Sequence, residues 1–320
     1  MIAFGCAITD AEIYERYAGP GIRSVAEADS EILAHGSAGS IFRNYNLLLD
    51  RVRGRDDLEA LVLLHQDAEI VDPDFCAKVR RALEDPEVAI VGCAGAIGVR
   101  SIAWWEGAVT WAGFTHKHDD EGGGDIPALT WDQDRIPSFA RLGEVDAIDG
   151  FAMALSPWAV RNLEFDETLG RLHGYDFDLC CQARAAGRKV VTEDYRVIHH
   201  HSLDMIQGVD GWVEAHIKVA EKWDGRLPDV GQGPGDWKQR ARRAEAEAAA
   251  MRMVSFAAEH IWSARVEAAR SELRDTKSST SWRVTAPFRA VGRLLRGRPP
   301  REPREVAAPG ERVATPGERV

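Results

Sequence analysis

Apolar residues in this chain come in short dense runs separated by amphipathic stretches, a pattern that predicts alternating strands and helices. The densest run, Leu61 to Leu64, passes directly into His65-Gln66-Asp67. Such a run predicts a strand (61–67) buried on both faces, as inside α/β sheets, and polar residues at its carboxyl end fall where those sheets bind ligands. Residues 2–8 (IAFGCAI) predict a first strand ending at Thr9-Asp10, then a helix over Ala11–Tyr17. Ser40 stands as the N-cap of a helix in which Ile41, Phe42, Tyr45, Leu48, Leu49 and Val52 recur at helical spacing. A turn at Asp72-Pro73, a helix over DFCAKVRRAL and a third buried strand at 88–93 follow. Residues 144–156 resume strand character around Asp149-Gly150, where an Asp-Gly pair signals a bulge or a close backbone approach. A helix opening at Asp176 and stopping at Gly187, strands at RKVVT and YRVIHHHS, and an amphipathic helix at 211–223 complete the pattern.

Two stretches interrupt it. Gly92, Gly95 and Gly98 allow either close approach of a ligand to the backbone or a tight loop. Residues 104–134 are irregular and carry Trp104, Trp105, Trp111 and Trp131, which serve either as a platform for sugar rings or as packing for the insertion. Beyond residue 227 the composition changes: a Gly/Pro linker at 228–236, a charged helix at 237–275, a basic amphipathic segment at 276–297, and a Pro-, Glu- and Arg-rich tail at 298–320 expected to be disordered.

The formal charge of −11 excludes a general nucleic-acid binder, because nothing in the first two-thirds concentrates Lys and Arg against a phosphate backbone. The exception is local: residues 276–300 contain Lys277, Arg283, Arg289, Arg293, Arg296 and Arg298 and no acidic residue. Five cysteines, with no CxxC pair, predict buried thiols in a reducing compartment. No basic leader and no apolar span of membrane length stand out, so the expectation is a cytoplasmic protein.

Candidate chemistry clusters at the predicted strand ends. On an extended backbone His65 and Asp67 project to one side and can share a divalent ion; otherwise Asp67 caps a turn. His199, His200 and His201 end another strand, where an imidazole can be a ligand. Asp176 and Asp178 lie in the first turn of a helix, either as caps or, for Asp176, as a general base at the mouth of the sheet.

In their order, His65-Gln66-Asp67, Asp149-Gly150-Phe151, Phe165-Asp166-Glu167 with Tyr175-Asp176-Phe177-Asp178-Leu179-Cys180, and Val197-Ile198-His199 resemble the motifs of the family 2 inverting glycosyltransferases of the GT-A fold. The form HQD is similar to the glycosyltransferase-like branch labelled after the streptomycin biosynthesis StrF protein. The resemblance covers residues 1–225 and implies a Rossmann-like, mostly parallel mixed sheet with helices on both faces over residues 1–227. It implies Asp176 as catalytic base and Mn²⁺ or Mg²⁺ at His65, Asp67 and His199, the imidazoles favouring Mn²⁺. Thr9, Asp10, Asn46 and Asp67 would meet a nucleotide-diphosphate sugar donor. Trp104, Trp105, Asp149, Gly150, Tyr175 and Asp178 would meet a surface-polysaccharide, lipid-linked or natural-product acceptor. Three places depart from the family pattern: the first strand ends in Ala7-Ile8-Thr9-Asp10 where the family has a Pro-Thr-Tyr-Asn type segment, His65 replaces the first Asp of DxD, and Tyr175 replaces the Glu before the base. The segment SWRVTAPFR resembles the tail of bacterial surface-glycan glycosyltransferases, and Trp282, Val284, Phe288, Val291, Leu294 and Leu295 among arginines suit the anionic inner face of a cell membrane. A nucleotidyltransferase of related fold and a non-catalytic sugar-nucleotide scaffold are the alternatives.

Overall fold

The computed structural model describes residues 1–37, 39–104, 108–111, 114–117, 143–194, 196–200, 209–226, 248 and 264–289. The chain divides into two units, Met1–Gly231 and Gln232–Val320. In the first, β1 (Ile2–Ile8) leads through α1 (Ala11–Arg16) and α2 (Ala18–Val25) to β2 (Glu31–Gly36), then α3 (Ile41–Val52) and β3 (Ala60–Leu64). The Asp10 carboxylate caps α1 by accepting from the Glu12 and Ile13 N–H groups, and Ser40 caps α3 by accepting from the Arg43 N–H. β4 (Ala68–Ile70), α4 (Phe75–Ala82), β5 (Val88–Gly92), β6 (Ala94–Ile97), β7 (Ala108–Trp111) and β8 (Phe114–Lys117) come next. After them come β9 (Gly143–Val145), β10 (Ala147–Ile148), β11 (Ala152–Leu155) and α5 (Pro157–Asn162). The unit ends with α6 (Tyr175–Ala185), β12 (Lys189–Thr192), β13 (Val197–His200) and α7 (Val209–Lys222).

Seven strands form the main sheet in the order β2-β1-β3-β11-β5-β12-β9. β2, β1, β3, β5 and β12 share one direction, while β11 runs against β3 and β5, and β9 against β12. This is the α/β architecture expected from the sequence. Successive residues of a strand face opposite sides, and β1 shows both sides covered: Gly5 lies under Leu48 of α3, while Phe4 meets Phe75 of α4 with ring centroids 6.3 Å apart. Every residue of β3 is buried, as its apolar run requires.

Several elements were not foreseen. β2 is an edge strand whose residues alternate between half-buried and exposed with none fully buried, so EILAHG lacks the dense apolar run that marks an inner strand. Residues 144–156 form three short strands, since the chain breaks at Asp146 and again at Asp149-Gly150. The predicted strand 61–67 stops at Leu64: the Ala68 N–H donates to the His65 carbonyl at 3.1 Å, so His65–Ala68 is a turn rather than an extended segment.

That turn swings the chain into a small sheet, β4-β13-β8, in which β13 pairs antiparallel with β4 and sets His199 opposite Ala68. A third sheet, β10-β6-β7, brings Ile148 against Gly92 and Ala147 against Gly95, so these two glycines serve strand packing. All five cysteines are buried free thiols, and burial pushes Cys6 and Cys181 up to about 12 and Cys76 to about 11. No helix among the described residues is long and apolar enough to cross a membrane. In the second unit, residues 264–278 are helical, and a short helix spans Thr280–Val284.

β4 is held from outside by α2, where a methyl at Gly21 would lie 2.6 Å from the Ile70 nitrogen. Gly21→Ala is therefore expected to destabilise the protein by about 1–3 kcal/mol through overpacking. Gly211→Ala in α7, where a methyl would meet nothing, should stabilise it by up to about 1 kcal/mol through helix propensity. Urea denaturation of the two variants should give opposite signs; equal effects would remove the α2–β4 contact as a constraint.

Candidate active site

Three side chains converge where β3 ends. His65, Asp67 and His199 each offer a ligand atom, and these atoms lie within 4.8 Å of one another. His65 Nδ1 is 3.9 Å and His199 Nε2 3.5 Å from Asp67 Oδ1. The turn supplies the first two residues, and antiparallel pairing supplies the third, with the His200 N–H donating to the Asp67 carbonyl at 2.8 Å. Phe151, just before β11, stacks on the His199 ring at 4.5 Å and 14° and so holds it flat. Two imidazoles and a carboxylate with converging lone pairs are a donor set that suits a divalent cation such as Mn²⁺.

The electrostatics agree with that chemistry. Burial opposes ionisation of Asp67, but attraction and hydrogen bonding to His199, with attraction to His65, hold its carboxyl well below the usual range. Burial likewise opposes the charge on His199, and Asp67 more than compensates, raising its pKa. Asp67 thus stays an anion ready for a metal.

Asp176 has the opposite character. It sits in the first turn of α6, with Oδ2 accepting from the Gly150 N–H at 2.9 Å and Oδ1 from its neighbour Phe177 at 2.8 Å. Burial first, and the charge of Asp149 second, raise its pKa to about 7 despite those hydrogen bonds. Asp149 also raises His199, so its field reaches both halves of the site. Its own Oδ1 accepts from the Phe151 N–H at 3.3 Å and shapes the Asp149-Gly150-Phe151 bend. Gly150 has to be glycine: a Cβ there would collide with the hydroxyl and ring edge of Tyr175. Tyr175 in turn meets His65, its hydroxyl 2.6 Å from Nε2.

Thr9 and Asp10 arrive at the same end of the sheet by way of a residue to which the sequence reading gave no role. Gln66 Oε1 accepts from the Thr9 and Asp10 N–H groups at 2.8 and 2.9 Å, and its Nε2 donates to Thr9 Oγ1 at 2.8 Å. Its place between two candidate ligands was the available signal. Of the three histidines, His200 points away from the cluster, stacked on Tyr17 at 3.7 Å and 2.9 Å from Glu69 Oε2. His201 lies outside the described residues.

Three expected site residues have other work. The Asn46 amide is committed on both sides to Phe165, donating to its carbonyl and accepting its N–H at 2.8 Å each. Asp178, only 1% exposed, accepts from Trp223 Nε1 at 2.8 Å, from Gln182 Nε2 at 2.7 Å, and pairs with Lys222. These two belong to a separate cleft or its floor, bounded by Phe165, Asp166, Lys222 and Trp223. Trp104 packs into the core at 7% exposure, the packing alternative for that residue alone, while Trp105, Trp131 and the side chain of Trp111 lie outside what the structure describes. Asp176 and Asp178 are two residues apart in the first turn of α6, about half a turn, and so face opposite sides; an N-terminal helical position does not by itself tell base from brace.

The chain is 28% identical over 217 residues to the streptomycin biosynthesis protein StrF of Streptomyces griseus, covering 66% of this chain and 71% of that protein. Among solved structures it is similar to GalNAc-T7 with UDP, GalNAc and Mn²⁺, at 11% identity and a TM-score of 0.46, with 70% of this chain covered. It spans about half of that solved chain, 48%. It is also similar to the mannosyltransferase PcManGT of Pyrobaculum calidifontis in complex with GDP-Man and Mn²⁺, at 13% identity and a TM-score of 0.42, covering 71% of this chain and 65% of that one. A family profile described as "Glycosyltransferase like family" matches residues 4–207, which takes in every residue of the cluster, and the chain belongs to that family.

Proposed function

We propose that this protein is a metal-dependent inverting glycosyltransferase that moves a sugar from a nucleotide-diphosphate donor to an acceptor hydroxyl. The observation that carries the reading is the pairing of an ionised His65–Asp67–His199 ligand set with a separate carboxylate, Asp176, whose pKa lies near 7. A divalent cation, Mn²⁺ or Mg²⁺, held by those three side chains would stabilise negative charge growing on the departing diphosphate. The loop at Thr9-Asp10, fastened by Gln66, would border the donor's nucleotide.

Asp176 is the base. With one oxygen on the Gly150 N–H and the other on the Phe177 N–H, its carboxylate is fixed in direction, and its remaining lone pairs can take the acceptor hydroxyl's proton as that oxygen attacks. One displacement at the anomeric carbon inverts its configuration. The acceptor would lie along the Asp149–Gly150 bend and Tyr175. Acceptors fitting the reading are a surface polysaccharide, a lipid-linked glycan or, in line with the streptomycin-biosynthesis relative, a natural product.

The second unit supports delivery to a membrane-borne acceptor. Trp282, Val284 and Phe288 are 37%, 66% and 77% exposed, and the Arg289 guanidinium lies 3.7 Å over the Trp282 ring. Apolar side chains flanked by arginines in a region without acidic residues are complementary to an anionic bilayer surface.

Because a protonated base is inactive, kcat/KM should rise with pH through about 7, following the raised Asp176 pKa. Asp176→Asn should abolish that ionisation, lower turnover by about 10²–10⁴-fold, and retain the donor-dependent rise in melting temperature with UDP-, GDP- or dTDP-sugars and Mn²⁺; unchanged turnover would remove Asp176 from the mechanism. On the membrane, the full chain should co-sediment with phosphatidylglycerol-containing vesicles at low salt and not with neutral ones. Joint Trp282→Ala and Phe288→Ala substitution should cut the bound fraction by roughly tenfold. Protein left in the supernatant with anionic vesicles would end the membrane reading.

A further inference from the structure

We infer that the Tyr175 hydroxyl is a positioning group for the metal cluster: it accepts the Nε2–H of His65 and so fixes the imidazole in the tautomer whose bare Nδ1 faces Asp67. The inference rests on the metal-dependent reading above and adds to it a second role for Tyr175, which that reading sets beside the acceptor.

The geometry assigns the two ring nitrogens different neighbours. Nε2 is 2.6 Å from the Tyr175 oxygen, and Nδ1 is 3.9 Å from Asp67 Oδ1. A neutral imidazole carries one proton, and only the nitrogen without it can bind a metal. The Nδ1 to Oδ1 gap is too long for a hydrogen bond. It matches the roughly 3–4 Å separating two atoms that each lie about 2.0–2.2 Å from a shared ion. If the Nδ1 nitrogen kept the proton, the hydrogen would point into that gap.

The phenol is packed from a second side. Tyr45 lies edge-on against the Tyr175 ring at 5.5 Å and 78°. A phenol oxygen carries two lone pairs, so one of them can accept from His65 while its own O–H points elsewhere.

The ring has little freedom to do anything else. It is 5% exposed, wedged between Tyr45 and the edge of Phe42 at 6.1 Å and 83°, with Gly150 closing the third side. Gly174, at φ +82°, opens α6 and aims Tyr175 inward. The next residue is Asp176, whose Oδ2 accepts from the same Gly150 that Tyr175 presses on. The group that orients a metal ligand and the group that takes the proton are therefore neighbours on one rigid helical turn, which ties cation placement to base placement. Outer hydrogen-bond partners of ligating histidines set ring orientation and basicity in this way.

The test uses the full-length protein and Mn²⁺ alone, titrated by electron paramagnetic resonance, for wild type, Tyr175→Phe and Asp67→Ala. It is joined by long-range ¹H–¹⁵N correlation of the histidine side chains in metal-free protein. Tyr175→Phe keeps the ring and its packing, so its melting temperature should stay near wild type. The expected result is a His65 Nε2–H tautomer in the wild type, loss of that preference in Tyr175→Phe, and an Mn²⁺ dissociation constant raised about 10–100-fold. Wild-type Mn²⁺ affinity in Tyr175→Phe, or a His65 Nδ1–H tautomer in the wild type, overturns the inference. Asp67→Ala separates the two levels. If it loses Mn²⁺ while Tyr175→Phe does not, only the role of Tyr175 falls. If it binds Mn²⁺ as the wild type does, the metal site falls and takes this inference with it.

Discussion

One backbone hydrogen bond, from the Ala68 N–H to the His65 carbonyl, does more than any other to define this site. It ends β3 and starts β4, so the chain leaves the main sheet at the point where its polar residues begin. Once β4 exists, β13 has a partner, and the register of that pairing sets His199 beside Asp67. A slip of one residue would turn His199 away and present a neighbour instead. The ligand set is thus a by-product of strand pairing, and its precision is that of a backbone ladder rather than of flexible side chains.

The same region shows how one fold keeps two carboxylates in different states. Burial pushes both upward; what differs is company. Asp67 lies between two imidazoles and remains an anion. Asp176 has another carboxylate, Asp149, as its nearest influential charge, and amide hydrogen bonds only partly offset that repulsion. On the proposed mechanism these divergent environments would assign Asp67 the role of metal ligand and Asp176 that of proton acceptor.

Much of this could be read from the chain before any coordinates. The buried strands, the helix caps at Ser40 and the start of α6 follow from local patterning, and His65, Asp67, His199 and Asp176 stand out because polar residues end apolar runs. What the sequence hid was tertiary. The partner of Asn46 is a backbone 119 residues away, and that of Asp178 an indole 45 residues away, so nothing local distinguishes a clamp from a contact residue. His65 and Asp67 do meet, but through the His65–Ala68 turn rather than along an extended backbone. Gln66 went unassigned because an amide's value lies in which two loops it joins.

The brace beneath the base has a mechanical meaning. Asp178 fastens α6 to the end of α7 through Lys222 and Trp223, and Lys222 also holds Asp166 at 2.7 Å. α7 can shift only by dragging the first turn of α6 with it or by stripping a buried carboxylate of its partners. Asp176 therefore rides on a helical turn moored to the end of α7, a helix that leaves Val209, Val213 and Ile217 exposed.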